Sequence, residues 1–325
     1  MYTAREIKLG IILSFAWKAI LFFFLYASAL CAVSAGLGFA LGISFVPIGL
    51  IGTAVAFYVG FKNNSSYERL WEARRIWGAF VNASRTWGAQ VTAGVQGNDA
   101  VKTQLIHRHI AYVNAVRIQL RSKSIWNDTA TTAHEMVKTH HGVLGSPLEE
   151  LLSTLVTAEE ASYFLSKKNA ATHLMKRQAE QVSQLLQNGT ISELAHFHMM
   201  NVVQEFYNQQ GAAERIKNFP FPRQYAYFSK VFVWLFILVL PFGLINEFAK
   251  LGENFIWLAV PSYMLIAWVF NTMEIVGDTS ENPFENAIND VPMTAICRTI
   301  EIDLREMLDE KNVPAAITPV NHILM

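Results

Sequence analysis

The fold is decided by the stretch from Lys18 to Lys62, which reads KAILFFFLYASALCAVSAGLGFALGISFVPIGLIGTAVAFYVGFK. Between its two terminal lysines this stretch contains no charged residue. A membrane-crossing helix needs about 20 apolar residues, so the stretch is long enough for two such helices. Glycine and proline in residues 42–47 (GISFVP) mark the turn between them. The sequence therefore predicts a pair of membrane-spanning helices near its start.

A second apolar region, later in the chain, predicts another helix pair. A polar segment at 246–254 (NEFAKLGEN) separates the two spans, which are expected at 226–245 and 255–273. Pro241 and Pro261 are expected to kink these helices, because proline removes a backbone hydrogen bond. The whole chain is 52% hydrophobic and only 16% charged, whereas soluble domains carry about 25% charged residues. We therefore predict an all-α membrane protein with four transmembrane helices in each subunit.

The region between the two helix pairs is predicted to be a helical cytoplasmic domain. Its apolar residues recur with a helical period of about 3.6 residues in several segments. These segments are 74–91, 107–120, 149–164, 170–186 and 191–206. No linker rich in proline or serine separates this domain from the spans. We therefore divide the chain into a first transmembrane helix pair (1–62), the helical domain (63–225), a second transmembrane pair (226–276) and a C-terminal segment that packs on the domain (277–325).

The distribution of basic residues orients the chain across the membrane. Four crossings would place the N-terminus, the middle domain and the C-terminus on the same side. The short flanks on that side carry Arg5, Lys8, Lys62, Arg69, Arg74 and Arg75. The loops on the opposite side carry Lys250, accompanied by Glu247 and Glu253. By the positive-inside rule the basic side is cytoplasmic, so we expect a multi-pass protein of the plasma (inner) membrane. Lys18, inside the first span, either reaches back to the interface or faces a lumen.

The sequence contains no recognisable motif for catalysis or metal binding. It has no P-loop, no GxSxG and no CxxC, and the segment 134–141 (HEMVKTHH) lacks the HExxH spacing of a zinc site. The formal net charge is zero, which gives no case for nucleic-acid binding. Cys31 lies in an apolar stretch and Cys297 in a charged one, so they are not expected to form a disulfide. We expect no enzyme activity, no cofactor and no bound metal.

One face of the second predicted span is a candidate lining for a lumen. Thr53, Phe57 and Phe61 follow one another at intervals of four residues, which places them on the same side of a helix. Several copies of this helix around an axis would stack these side chains in rings, and apolar rings gate by wetting and dewetting. Ordinary packing between helices explains the same spacing. Small residues in this span suit close contact between helices but do not identify a pore.

Three segments resemble the bestrophin family of ion channels, in its bacterial form. The first is GFKNNSSYERLWEARRIWG at 60–78, and the second is ERIKNFPFPRQY at 214–225. The third is ENPFENAINDVPMTAICRTIEIDL at 281–304, after the fourth span. The three matches occur in the family's order and at the family's positions relative to the spans. The resemblance covers nearly the whole chain, and residues 101–190 are its least distinctive part.

The resemblance implies a homopentamer with one central pore. It places the membrane neck of the pore at Thr53, Phe57 and Phe61, the face that the spacing also indicates. It also implies a cytoplasmic constriction made by one apolar residue of each subunit, at Leu194. The alternative for Leu194 is a core leucine of the cytoplasmic bundle. Glu274 and Asp278, at the cytoplasmic end of the fourth span, are candidate vestibule charges or else solvated surface residues.

Two departures from the family pattern change what is expected. Thr53 stands where the family has a bulky apolar residue, so the outer ring of the neck is expected to be wider or wetter. Animal members carry a run of acidic residues that holds calcium, whereas this chain has ENAIND at 285–290. Calcium takes six to eight oxygen ligands, and Glu285 and Asp290 alone are too few. We therefore expect no calcium clasp.

The leading functional hypothesis is a channel for small monovalent ions, either chloride and other anions or sodium and potassium. The expected partners are other copies of the chain, the ions and the lipid bilayer. A secondary transporter is one alternative, but the two helix pairs show no evident similarity to each other. A membrane-anchored scaffold or sensor without a continuous pore is the other.

Overall fold

The computed structural model describes residues 1–6, 9–37, 42–122 and 148–325. In these ranges the regular secondary structure is helical, and the β-pairing is limited to two isolated bridges, Tyr2 with Ile323 and Val320 with Ile323. The helices are α1 (Leu9–Leu37), α2 (Phe45–Gly94), α3 (Asp99–Leu120), α4 (Leu148–Leu155), α5 (Ala158–Leu165), α6 (Ala170–Gln187), α7 (Glu193–Asn218), α8 (Arg223–Ala249), α9 (Ala259–Ser280) and α10 (Met293–Glu306). A 3₁₀ turn, Glu253–Leu258, precedes α9.

The four predicted spans are confirmed as helices long and apolar enough to cross a membrane. These helices are Phe15–Gly36, Phe45–Gly94, Arg223–Ala249 and Phe255–Ser280. The helix expected at 74–91 is the continuation of the second span, since α2 runs unbroken for 50 residues. Pro241 lies inside α8, whereas Pro261 lies in the first turn of α9. The N–H missing at Pro261 is one that a first turn leaves unpaired, so the predicted kink has no physical cause there.

The chain folds as two compact units. The span unit consists of Ala4–Glu68 and Phe221–Glu281, and the bundle unit consists of Met1–Thr3, Arg69–Pro220 and Asn282–Met325. Each unit has its own cluster of buried apolar side chains. Helix α2 therefore contributes its first half to one core and its second half to the other.

Close contacts between helices shape the span unit. Gly52 of α2 faces the ring of Phe236 on α8, and a Cβ at this glycine would lie 2.7 Å from the ring. A Cβ at Gly243 of α8 would likewise lie 2.7 Å from the side chain of Ile48. Small residues allow membrane helices to approach in this way. The apolar face of α2 that carries Val55 and Val59 is thereby buried against its own subunit.

The bundle unit has an aromatic core, and one predicted helix is divided there. Trp77, Trp87 and Phe206 are among its largest fully buried side chains. The single helix expected at 149–164 is in fact α4 followed by α5. Thr157 separates them, because its extended backbone starts a new helix and its side chain accepts a hydrogen bond from the N–H of Glu160 at 3.3 Å.

Candidate functional site

The exposed face of α2 carries the three residues predicted to line the neck. Phe57 is 67% exposed and Phe61 is 63% exposed in the single chain, and Thr53 is also exposed. The hydroxyl of Thr53 donates a hydrogen bond to the carbonyl of Gly49, one turn earlier, at 2.9 Å. The structure therefore places all three side chains on one face, and they do not contribute to the core of their own subunit.

The opposite face of α2 explains why the aromatic face stays uncovered. Val55, Val59 and Lys62 are buried within the span unit. Because successive residues of a helix are turned by about 100°, a helix fixed by these three positions must present Phe57 and Phe61 outward. The face that the sequence singled out is thus the one that the subunit leaves free.

Leu194, predicted as the cytoplasmic constriction, is the second residue of α7. Ser192 caps this helix by accepting a hydrogen bond from the N–H of Ala195 at 3.2 Å. Leu194 is 66% exposed, so the alternative of a core leucine is wrong. Phe197, one turn further along, is also exposed. Sequence reasoning missed Phe197, because an aromatic residue three positions from a leucine resembles an ordinary core pair.

The exposed side of α7 changes from apolar to polar after Phe197. Asn201, Gln204 and Asn208 follow Leu194 and Phe197 on the exposed side of the helix. These amides carry no charge. An apolar ring followed by neutral amides is therefore what repeated copies of this helix would present around an axis.

Glu274 and Asp278, the candidate vestibule charges, have different environments. Glu274 is buried, and its Oε1 lies 2.6 Å from Nζ of Lys62. Its other oxygen, Oε2, accepts a hydrogen bond from the hydroxyl of Ser229 at 2.6 Å. The expectation of a solvated surface position is therefore wrong for Glu274. The Asp278 side chain is 53% exposed, with its Oδ1 3.8 Å from the same lysine.

The loop after the fourth span uses its carboxylates internally. Both oxygens of Asp290 accept backbone hydrogen bonds, from Phe284 and Val291 at 2.9 and 2.7 Å and from Asn286 at 2.9 Å. Burial raises the pKa of Asp290 above its usual range, although these bonds act in the opposite direction. Glu285 forms an ion pair with Lys217, with 2.5 Å between the charged atoms. Both carboxylates considered for calcium are therefore engaged by the protein itself.

No metal-binding group is formed by the part of the chain that the structure describes. Within it no three histidine, cysteine, aspartate or glutamate side chains come together in a way that could hold an ion. The histidine-rich segment at 134–141 lies outside the described residues. Cys31 and Cys297 are both buried free thiols, and burial raises the pKa of Cys297 to about 12.

Comparison with solved structures identifies the same fold in a known protein. A bacterial bestrophin homologue from Klebsiella pneumoniae matches with a TM-score of 0.76 and 23% sequence identity. The match covers 90% of this chain and 98% of that one. At this level of identity the match concerns the fold alone.

Curated relatives cover most of the chain. A protein of Escherichia coli (strain K12), named voltage-dependent anion channel-forming protein YneE, is 28% identical over 284 residues, which are 87% of this chain and 83% of that protein. A voltage-dependent anion channel-forming protein of Mesorhizobium japonicum is 24% identical over 297 residues, which are 90% of this chain and 86% of that protein.

The family assignment rests on a match along almost the whole chain. Residues 3–306 match the family described as bacterial/fungal bestrophin proteins. This range includes all four spans, the proposed neck face of α2 and the whole of α7. The chain therefore belongs to the bacterial/fungal bestrophin family.

Proposed function

We propose that this protein is a homopentameric channel that conducts small monovalent ions across the plasma (inner) membrane. The observation that carries the proposal is the outward, aromatic face of α2, where Phe57 and Phe61 are about two-thirds exposed on a helix otherwise fixed to its own subunit. A ring of five such faces would form an apolar neck that water and ions cross only when it wets. The names of the curated relatives, which describe anion channels, support conduction as the activity.

The proposed pathway has a neck and a constriction. Thr53, Phe57 and Phe61 line the neck, and Leu194 forms the cytoplasmic constriction. The bundle unit and both ends of the chain lie on the cytoplasmic side, as the basic residues next to the spans indicate. No neck residue carries a fixed charge, so the neck itself does not select the sign of the ion. The phenyl edges of Phe57 and Phe61 are weakly electropositive, which together with the names of the relatives makes chloride the first ion to test.

The proposed channel opens without calcium. Asp290 and Glu285 are the two acidic side chains of segment 285–290, where animal family members hold the ion, and both have partners inside the chain. A calcium ion would have to displace three backbone N–H groups and a lysine, and would still find too few oxygens.

Planar-bilayer recording with purified protein tests the proposal. A gradient of NaCl across the bilayer gives the reversal potential, and hence the sign of the permeant ion. Phe57→Ala should increase open probability or conductance, because replacing the phenyl ring by a methyl group widens the neck and lowers the barrier to its wetting. Phe24→Ala is the matched control, since Phe24 is an exposed phenylalanine of α1, outside the neck face. It should leave the currents unchanged.

The possible results separate the channel from the alternatives. Discrete currents that change in Phe57→Ala and not in Phe24→Ala would support a pore with its neck on this face. A purified pentamer that carries no current in either form would contradict the proposal and favour a scaffold or sensor. A mass other than that of five subunits in detergent would contradict the oligomeric state.

A further inference from the structure

A buried ion pair lies directly behind the proposed neck. Lys62 is fully buried although it follows Phe61, one of the exposed neck residues. Its Nζ lies 2.6 Å from Oε1 of Glu274 on α9. Ser229 of α8 donates to the other oxygen of this carboxylate at 2.6 Å. Three membrane helices, α2, α8 and α9, therefore meet at one polar cluster inside the span unit.

The contact between α2 and α9 is close around this pair. The side-chain amide of Asn63 donates to the carbonyl of Met273 at 3.1 Å. Gly277 leaves room for this arrangement, because a Cβ there would lie 2.1 Å from Oδ1 of Asn63 and 3.6 Å from Cε of Lys62. A residue larger than glycine at position 277 would therefore keep α2 and α9 too far apart for this arrangement.

A buried ion pair has more effect on geometry than on stability. Removing two charges from water costs about as much as their attraction returns, so a matched apolar pair is often equally stable. What the charged pair adds is a requirement that its atoms meet at hydrogen-bonding distance. Here that requirement fixes the rotation of α2 at Lys62. Adjacent helical residues differ by about 100° in direction, so it also fixes the direction of Phe61.

We infer that Lys62 and Glu274 form a positioning pair that holds the ring of Phe61 on the neck face of α2. The pair thereby sets the equilibrium between the open and the closed state of the neck. The inference rests on the proposed function and goes beyond it, because neither residue touches the permeant ion. It also assigns to Glu274 a role other than that of a vestibule charge. Ser229 acts with the pair by fixing the second carboxylate oxygen.

The test combines variants of the pair with a variant of the neck residue it positions. Single-channel recordings are made for Lys62→Met and Glu274→Gln, each alone and in a Phe61→Ala background. Each single variant should change open probability by at least about fivefold, the lower end of typical coupling between sites. The permeability ratio of chloride to sodium should stay the same. In the Phe61→Ala background the same substitutions should have little effect, because the side chain that they position is absent.

Two further variants keep the test informative. Glu247→Gln is the matched control, since it removes the carboxylate of an exposed ion pair, with Lys250, that takes no part in the cluster. It should leave open probability unchanged. If Lys62→Met or Glu274→Gln does not assemble, Ser229→Ala removes only one hydrogen bond of the cluster. Ser229→Ala should change open probability in the wild-type background and have little effect in the Phe61→Ala background.

Several results would overturn the inference. One is a changed permeability ratio in Glu274→Gln, which would make this carboxylate part of the ion path. Another is a change in open probability that persists in full without the Phe61 ring. A third is unchanged gating in assembled Lys62→Met. Failure of the proposed function is distinguishable from all of these, because the wild-type pentamer itself would then carry no current.

Discussion

Acidification should destabilise the bundle unit through one buried histidine, His109. Its ring is completely buried among Trp87, Tyr112 and Phe206. Ser84 donates its hydroxyl proton to the carbonyl of Phe80 at 2.6 Å, so its oxygen is left to accept from Nε2 of His109 at 2.9 Å. The proton of the neutral ring is therefore on Nε2, and Nδ1 is buried without a partner.

The size of the effect follows from the pKa shift. Burial lowers the pKa of His109 from 6.5 to about 3. Between pH 6.5 and pH 3 His109 is protonated in the unfolded chain but stays neutral in the folded chain. The free energy of unfolding is therefore unaffected by this group above pH 6.5, and it decreases as the pH falls from 6.5 toward 3. Each pH unit within this window costs about 1.4 kcal/mol. The loss between pH 7 and pH 5 is therefore about 2 kcal/mol, or a decrease of roughly 4–8 °C in melting temperature for a unit of this size.

Thermal unfolding in detergent, followed by tryptophan fluorescence at pH 7 and pH 5, measures this loss. His109→Leu should be less stable than wild type at pH 7, because Ser84 loses a hydrogen bond. Between pH 7 and pH 5, however, the melting temperature of His109→Leu should decrease by less than that of wild type. The difference between the two decreases should equal the roughly 4–8 °C calculated above. His198→Leu removes an exposed histidine and is the control, with the full decrease expected. An undiminished decrease in His109→Leu would refute the assignment of the titration to this ring.

Three further predictions concern packing, the calcium-free loop and the constriction. Gly52→Ala should destabilise the protein by about 1–3 kcal/mol, because its methyl group would collide with the ring of Phe236. Gly60→Ala has open space around it, so in the same melting experiment it should be neutral or slightly stabilising, since alanine favours a helix more than glycine does. Asp290→Asn should cost about 1–3 kcal/mol, since an amide cannot accept all three backbone hydrogen bonds, and calcium should change neither the stability nor the currents of the wild type. Leu194→Ala should raise single-channel conductance without altering the melting temperature, because the side chain is exposed in the subunit.

Each of these predictions has a result that would contradict it. Equal melting temperatures for the two glycine variants would show that α2 and α8 can separate without cost. A calcium-dependent current in the wild type would mean that Asp290 and Glu285 exchange their present partners for the ion. An unchanged conductance in Leu194→Ala would place the narrowest cytoplasmic point elsewhere, with Phe197 as the next residue to test.

The apolar spans could be predicted from the sequence because the bilayer imposes a length and a composition on each helix. The face that carries Phe57 and Phe61 could also be predicted, since four-residue spacing determines which side chains share a side. The division between α4 and α5 was missed, because the helical spacing of apolar residues continues across Thr157, whereas the backbone of Thr157 is extended and interrupts the helix.

The pair of Lys62 and Glu274 could not be predicted from local patterns. The two residues are separated by 212 positions, and each lies near the end of an apolar span, where a charge ordinarily reaches water. Only the close approach of α2 and α9 at Gly277 places them together. The exposure of Leu194 was likewise ambiguous, because a leucine at the start of an amphipathic helix is equally compatible with a core position.

The hydrogen bond within α2 at Thr53 has a consequence for how water meets the outer end of the proposed neck. Its hydroxyl proton is committed to the carbonyl of Gly49, so the side chain presents a methyl group and an oxygen that can only accept. A ring of such residues would orient nearby water molecules with their hydrogens toward the wall. Thr53→Val would abolish this one-way ordering while preserving the width of the ring, so the polarity of a threonine and its size become separable properties of the entrance.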